Sequence, residues 1–240
     1  MPSIENYVAS PSLYPGICIG VTGPEAALLP VYAQKVNAAL THLHTNTVIG
    51  QRLIDKFTIQ ATPQTGVPIL NTHTVIVILP EEENDAVGRP ALMSNHAEAG
   101  VEGHGPGNIP CWAWCIWDPD DTNLALQIAI HSTPSEPLYA PDYAAELETY
   151  RLSRPSYVEL FHELRHSLRI IKGSINTGGF ILPTEEIFTI GLEGVPEGKR
   201  PRTSPQDAHL NENNLRRELG LQQRAGHSPG LLPPNSLPYS

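Results

Sequence analysis

The chain has 240 residues, 40% of them hydrophobic and 17% charged, which allows one sizeable core and rules out a wholly disordered protein. Lys and Arg number 15 against 25 Asp and Glu, and the net charge of −10 argues against nucleic-acid binding through phosphate neutralisation and against a polybasic membrane anchor. No apolar run approaches the ~20 residues that cross a bilayer, and three cysteines (Cys18, Cys111, Cys115) fit a reducing compartment better than a disulfide framework.

In chain order, residues 1–24 carry four prolines and read as an extended N-terminal arm, a candidate secretion signal, with one short strand at 17–21. The first basic residue is Lys35, so the start does not look like a cleaved secretory leader. A broad apolar stripe predicts a helix over 24–45, with Pro24 at its first position and a kink near Pro30. A second helix is expected over 51–57, and His42 and His44 read as surface residues near a helix end. The β-branched run 73–79 predicts one buried strand that ends at Pro80. Residues 81–110, with His96 and His104, read as a loop whose histidine spacing matches no common metal site. Residues 111–117 and 123–131 predict the two strands of a hairpin around an Asp-Pro-Asp-Asp turn, with Cys111 and Cys115 as buried thiols on one face. A short helix is expected over 141–150.

The chemistry concentrates in SRPSYVELFHELRHSLRIIKG, residues 153–173. Ser156 and Glu159 match a capping box, Val158, Phe161, Leu164, Leu168 and Ile171 repeat at helical spacing, and Gly173 stands where a helix commonly ends. Within this helix lies the HExxH sequence His162-Glu163-Leu164-Arg165-His166. Histidines four apart share a helix face, and their neutral rings can reach one Zn²⁺ at ~2.0–2.1 Å. Glu163, next to the first histidine, is placed to act as general base towards a water molecule and then as acid towards a leaving amine.

A third protein ligand is needed if one position is to stay open. The sequence PTEEIFTIGL, residues 183–192, predicts a short helix starting near Glu185 and capped by Thr184. Glu185 and Glu186 follow His166 by 19 and 20 residues, and a carboxylate from this pair fits a site of two histidines and a glutamate. Further on, Asn211 predicts the cap of a helix that carries Leu215 and Leu219 on one face, pairs Glu212 with Arg216 and stops at Gly220. Residues 193–208, which hold Lys199, Arg200 and Arg202, read as a connecting loop, and the Pro-rich tail 228–240 as disordered.

HELRH followed by EEIFTIGL resembles the light chains of clostridial neurotoxins. A closer resemblance, carried also by PSLYPGICIG, CIWDPDDTN and NENNLRRELGLQQR, is to the NleD-type zinc metallopeptidase effectors of type III secretion, in their plant-associated subgroup. It implies one zinc ion held by His162, His166 and Glu186, with Glu185 supporting from behind and Glu163 as the catalytic base. It further implies that Arg224 steadies the oxyanion together with an aromatic residue three positions on. Here that residue is His227 where the family has Tyr, and Ser167 stands where Ala is usual.

The expected architecture is a single α+β zincin-like domain over 25–227, with an HExxH helix and a small β-sheet. The expected function is that of a monomeric zinc endopeptidase secreted by a bacterium, with a secretion chaperone, that hydrolyses a host protein inside the host cell. It is expected neither to bind nucleic acid nor to insert into a membrane. The alternative, prompted by His227, is an effector of the same fold that acts by binding a host protein.

Overall fold

The run ICIGVT and the stretch before it pair as neighbouring strands in the computed structural model, which describes residues 6–62, 67–69, 72–80, 96–99, 111–119, 155–174, 183–192 and 207–224. Strand β1 (Tyr7–Pro11) lies antiparallel to β2 (Ile17–Thr22), with Tyr7 opposite Thr22 and Pro11 opposite Cys18. The expected arm therefore supplies two strands, not one, and Pro11 sits on an edge strand, where its missing N–H costs little.

From β2 the chain passes through a 3-10 segment (Gly23–Leu28) into α1 (Leu29–Asn46) and α2 (Val48–Gln60). Pro30 falls in the first turn of α1 and so causes no kink. Thr47 sets the tight corner between the two helices, since its hydroxyl accepts from Gly50 N at 3.0 Å and donates to Leu43 O at 2.7 Å.

The run expected as one strand over 73–79 changes partner at Val75. Before it, β4 (Thr72–Thr74) pairs with β3 (Val67–Ile69) in a separate ribbon; after it, β5 (Ile76–Leu79) joins the main sheet. Val75 and Ile76 both donate to Gly16 O, which pins the break. Strands β6 (His96–Ala99) and β7 (Ala113–Ile116) complete a five-stranded sheet of order β1-β2-β5-β7-β6. β2, β5 and β7 run parallel, while β1 and β6 are antiparallel edges.

Two expectations are corrected here. β7 has β5 on one side and β6 on the other, so it is not half of a hairpin with 123–131, a stretch outside the described residues. His96 belongs to strand β6 and not to a loop, opposite Ile116. His104, the expected helix over 141–150, the basic loop residues Lys199, Arg200 and Arg202, and the tail 228–240 also lie outside the described residues.

One face of the sheet, with Ile17, Ile19, Ile76, Ile78 and Cys115, forms the main core together with α1, α2 and α3 (Ser156–Ile171). Cys18, Val77, Leu79 and Trp114 point to the other face. Cys111 and Cys115 are buried in the same core, as their spacing predicts. Tyr32 donates to Trp117 O at 2.8 Å, and Trp117 Nε1 donates to Ser156 O at 2.9 Å. These bonds tie the end of β7 to the start of α3. The remaining helices among the described residues are α4 (Pro183–Ile190) and α5 (Glu212–Glu218). No helix among the described residues is long and apolar enough to cross a membrane.

Candidate metal centre

The five residues spaced for a buried face on α3 are all fully buried, but so is every residue from Leu160 to Ile171. A one-sided amphipathic helix would leave its polar side in water; here that side is covered by α4 and the segment 207–224. The helix start differs from the capping-box expectation. Pro155 is the cap and no side chain bonds there, because Ser156 already belongs to the first turn. The helix end matches expectation. Gly173, at φ 61°, lets Gly173 N bond Ile170 O at 2.9 Å and Ser174 N bond Arg169 O at 2.8 Å.

His162 and His166 are 4% and 1% exposed, and their Nε2 atoms face each other at 3.0 Å. Two nitrogens bound to one tetrahedral zinc would stand about 3.3 Å apart, so a small outward movement accommodates the ion. His162 Nδ1 lies 2.8 Å from Glu212 Oε2. Burial alone would raise the Glu212 carboxyl, but the guanidiniums of Arg224 and Arg216, together with His162, outweigh it and hold the group well below the usual carboxylate range. An ionised carboxylate only accepts, so Nδ1 carries the proton and the Nε2 lone pair is left for a cation. The donor set therefore fits zinc from the side of the two histidines.

Glu163 is 6% exposed beside the pair. Burial pushes the Cys115 thiol well above its ordinary range, and the nearby Glu163 carboxylate adds to the rise. Ser167 donates to Glu163 O at 2.8 Å, so the departure from alanine is absorbed by the helix's own backbone.

The acidic pair divides. Glu185 is 1% exposed, its Oε1 bonds Arg169 Nε, and the same oxygen stands 4.0 Å from His166 Nδ1. That is the ring edge opposite the Nε2 that faces His162. Glu186 lies on α4, but its side chain is outside the described residues. Among the described side chains, no three of His, Cys, Asp or Glu form a group that could hold a metal.

The C-terminal block folds as its pattern predicts. Asn211 accepts from Asn214 N at 2.9 Å, Glu212 bonds Arg216 Nε at 2.6 Å, and Gly220 has φ 68°. Sequence reasoning missed that Glu212 reaches His162. An acid at the first turn of a capped helix with a basic partner at i+4 already looks fully explained locally. Arg224 is buried and reaches Glu212 Oε2 at 2.9 Å, and both ends of its peptide unit bond the Asn213 side chain, at 2.8 and 3.0 Å. His227 lies outside the described residues.

Gly191 closes the EE-x-x-T-x-G stretch at φ 86°, and a Cβ there would stand 2.4 Å from the Asn211 side chain that caps α5. Gly191→Ala is expected to destabilise the chain by about 2 kcal/mol through backbone strain and a disturbed cap. A lower urea midpoint at unchanged slope would show this, and an unchanged midpoint would refute it.

A buried HExxH helix with paired imidazoles, one of them backed by a carboxylate, defines a protein of the metallopeptidase type. The chain belongs to the peptidase M91 family, described as effector proteins, which it matches over residues 30–226. That membership makes it a peptidase-type effector. No curated protein matches the chain.

Proposed function

We propose that the chain is a zinc-dependent endopeptidase, delivered by bacterial type III secretion, that cleaves a host protein inside the host cell. The observation that carries this reading is the Nε2 pair at 3.0 Å, with His162 fixed in the metal-binding tautomer by Glu212. His162, His166 and Glu186 hold one zinc ion, and Glu185 supports them from the far edge of His166. Zinc supplies Lewis acidity, which activates water near neutral pH and polarises the scissile carbonyl. Glu163 takes the proton of the attacking water and delivers it to the leaving amine. Arg224, bound to the carboxylate that also meets His162, serves as the cationic donor to the oxyanion, and His227 assists in place of tyrosine.

Glu163→Ala tests this. Host-cell protein fragments seen with the wild type should disappear, a rate loss of about 10²–10⁴-fold, while near-stoichiometric zinc is retained. The His227 departure favours a second reading, an effector that keeps the fold and acts by binding. Under that reading the cellular effect survives Glu163→Ala, and no fragments separate the two proteins.

A further inference from the structure

His162 has a carboxylate behind it; the corresponding support of His166 is of a different kind. On the Nδ1 edge of His166 stand Thr189 Oγ1 at 3.4 Å and Glu185 Oε1 at 4.0 Å. The second distance is beyond hydrogen bonding, and that oxygen is engaged by Arg169. Thr189 is fully buried in the last turn of α4. A buried hydroxyl beside a ring nitrogen can accept from Nδ1–H, and in that arrangement the Nε2 lone pair is left for a metal.

We propose that Thr189 is the positioning residue of His166, the neutral counterpart of Glu212 behind His162; this rests on the zinc reading given above. Two consequences follow from its chemistry. A hydroxyl adds no charge, so the two histidines have partners of different kinds, a carboxylate behind His162 and a neutral group behind His166. Thr189 also lies three residues after Glu186 and four after Glu185, so one face of α4 carries the acidic pair and the hydroxyl together. Docking α4 thus orients His166 in the same step that brings Glu185 to Arg169 of α3.

The test uses the full-length chain as wild type, Thr189→Val and Thr189→Ser. Zinc affinity is measured by competition with a chromophoric chelator, the fold by melting of the zinc-free proteins, and the ligand field by the visible absorption of the cobalt(II)-loaded proteins. Valine keeps the shape and loses the hydroxyl. It should weaken zinc binding about 10–100-fold, at zinc-free melting close to wild type, and shift the cobalt bands. Serine should restore both affinity and spectrum. Wild-type affinity in Thr189→Val, or a serine variant as weak as the valine one, overturns the proposal while leaving the zinc reading intact. A wild type that binds no zinc overturns both. Should valine not fold, Thr189→Ala replaces it with the same expectations.

Discussion

Glu212→Ala is expected to destabilise the zinc-free chain by about 3–5 kcal/mol and to weaken zinc binding about 10–100-fold. The first effect follows from what the carboxylate holds. Arg216 and Arg224 are 0% and 3% exposed, and both lean on Glu212, at 2.6 and 2.9 Å. Removing the anion leaves two buried guanidiniums uncompensated, which is costlier than never having buried the network. The second effect follows from His162, which loses the acceptor that fixes its tautomer. Glu212→Gln separates the two. Its amide oxygen can still accept from Nδ1, so zinc affinity should fall less than in the alanine variant, while stability falls because the charge is gone. Urea unfolding of the zinc-free proteins and chelator competition read the two effects independently. An alanine variant with the wild-type midpoint would refute the buried network, and wild-type affinity would refute the link to His162.

The same residue shows where a sequence stops being legible. Helices α3 and α5 could be read because their signals are local: apolar spacing, an Asn cap, and glycines at φ 61° and 68° that close the last turns. The two histidines of HExxH share a helix face whatever surrounds them. The strand expectations that failed depended on a distant partner. CWAWCIW was paired with the next strand-like run, yet β7 lies between β5 and β6, a choice made by the crossover topology and invisible in either segment. The run 73–79 has uniform β propensity, so nothing in it marks the exchange of partners at Val75. The contact from Glu212 to His162 spans 50 residues, and Glu212 already had a satisfying local role with Arg216.

A further physical lesson concerns burial. The pattern of α3 predicts a wet polar side, and the structure covers that side completely. Arg165 shows the cost. Burial first, and then repulsion from Arg169, bring its guanidinium down to about 10, with Glu185 and Asp207 opposing the shift. Its Nη2 reaches Asp207 O only at 3.3 Å. Asp207 in turn binds Lys172, near the end of α3, and Lys56 of α2 at 3.2 Å. The segment that delivers Glu212 and Arg224 is thereby anchored at its start by charge and at its end by Asn213, which fixes the relation between α3 and the C-terminal block.

Glu185→Gln and Glu186→Gln are expected to behave in opposite ways, although the residues are adjacent. Glu185 meets the buried Arg169, whose guanidinium also lies 4.9 Å over the Phe188 ring. Neutralising that carboxylate takes away a counter-charge from a 1% exposed cation, so the zinc-free chain should lose about 3 kcal/mol. Zinc affinity should change by less than tenfold, because Glu185 stands 4.0 Å from Nδ1 of His166, beyond hydrogen bonding, and that oxygen is engaged by Arg169. Glu186→Gln should leave zinc-free stability near wild type. It should weaken zinc by more than the ~10–100-fold typical of an outer partner, since it removes a charged ligand itself. Melting of the zinc-free proteins and chelator competition on the same three samples give both quantities. If Glu185→Gln were to lose zinc while Glu186→Gln kept it, the ligand would be the first acid of the pair. The Glu185 side chain would then have to move from the Nδ1 edge of His166 on metal binding.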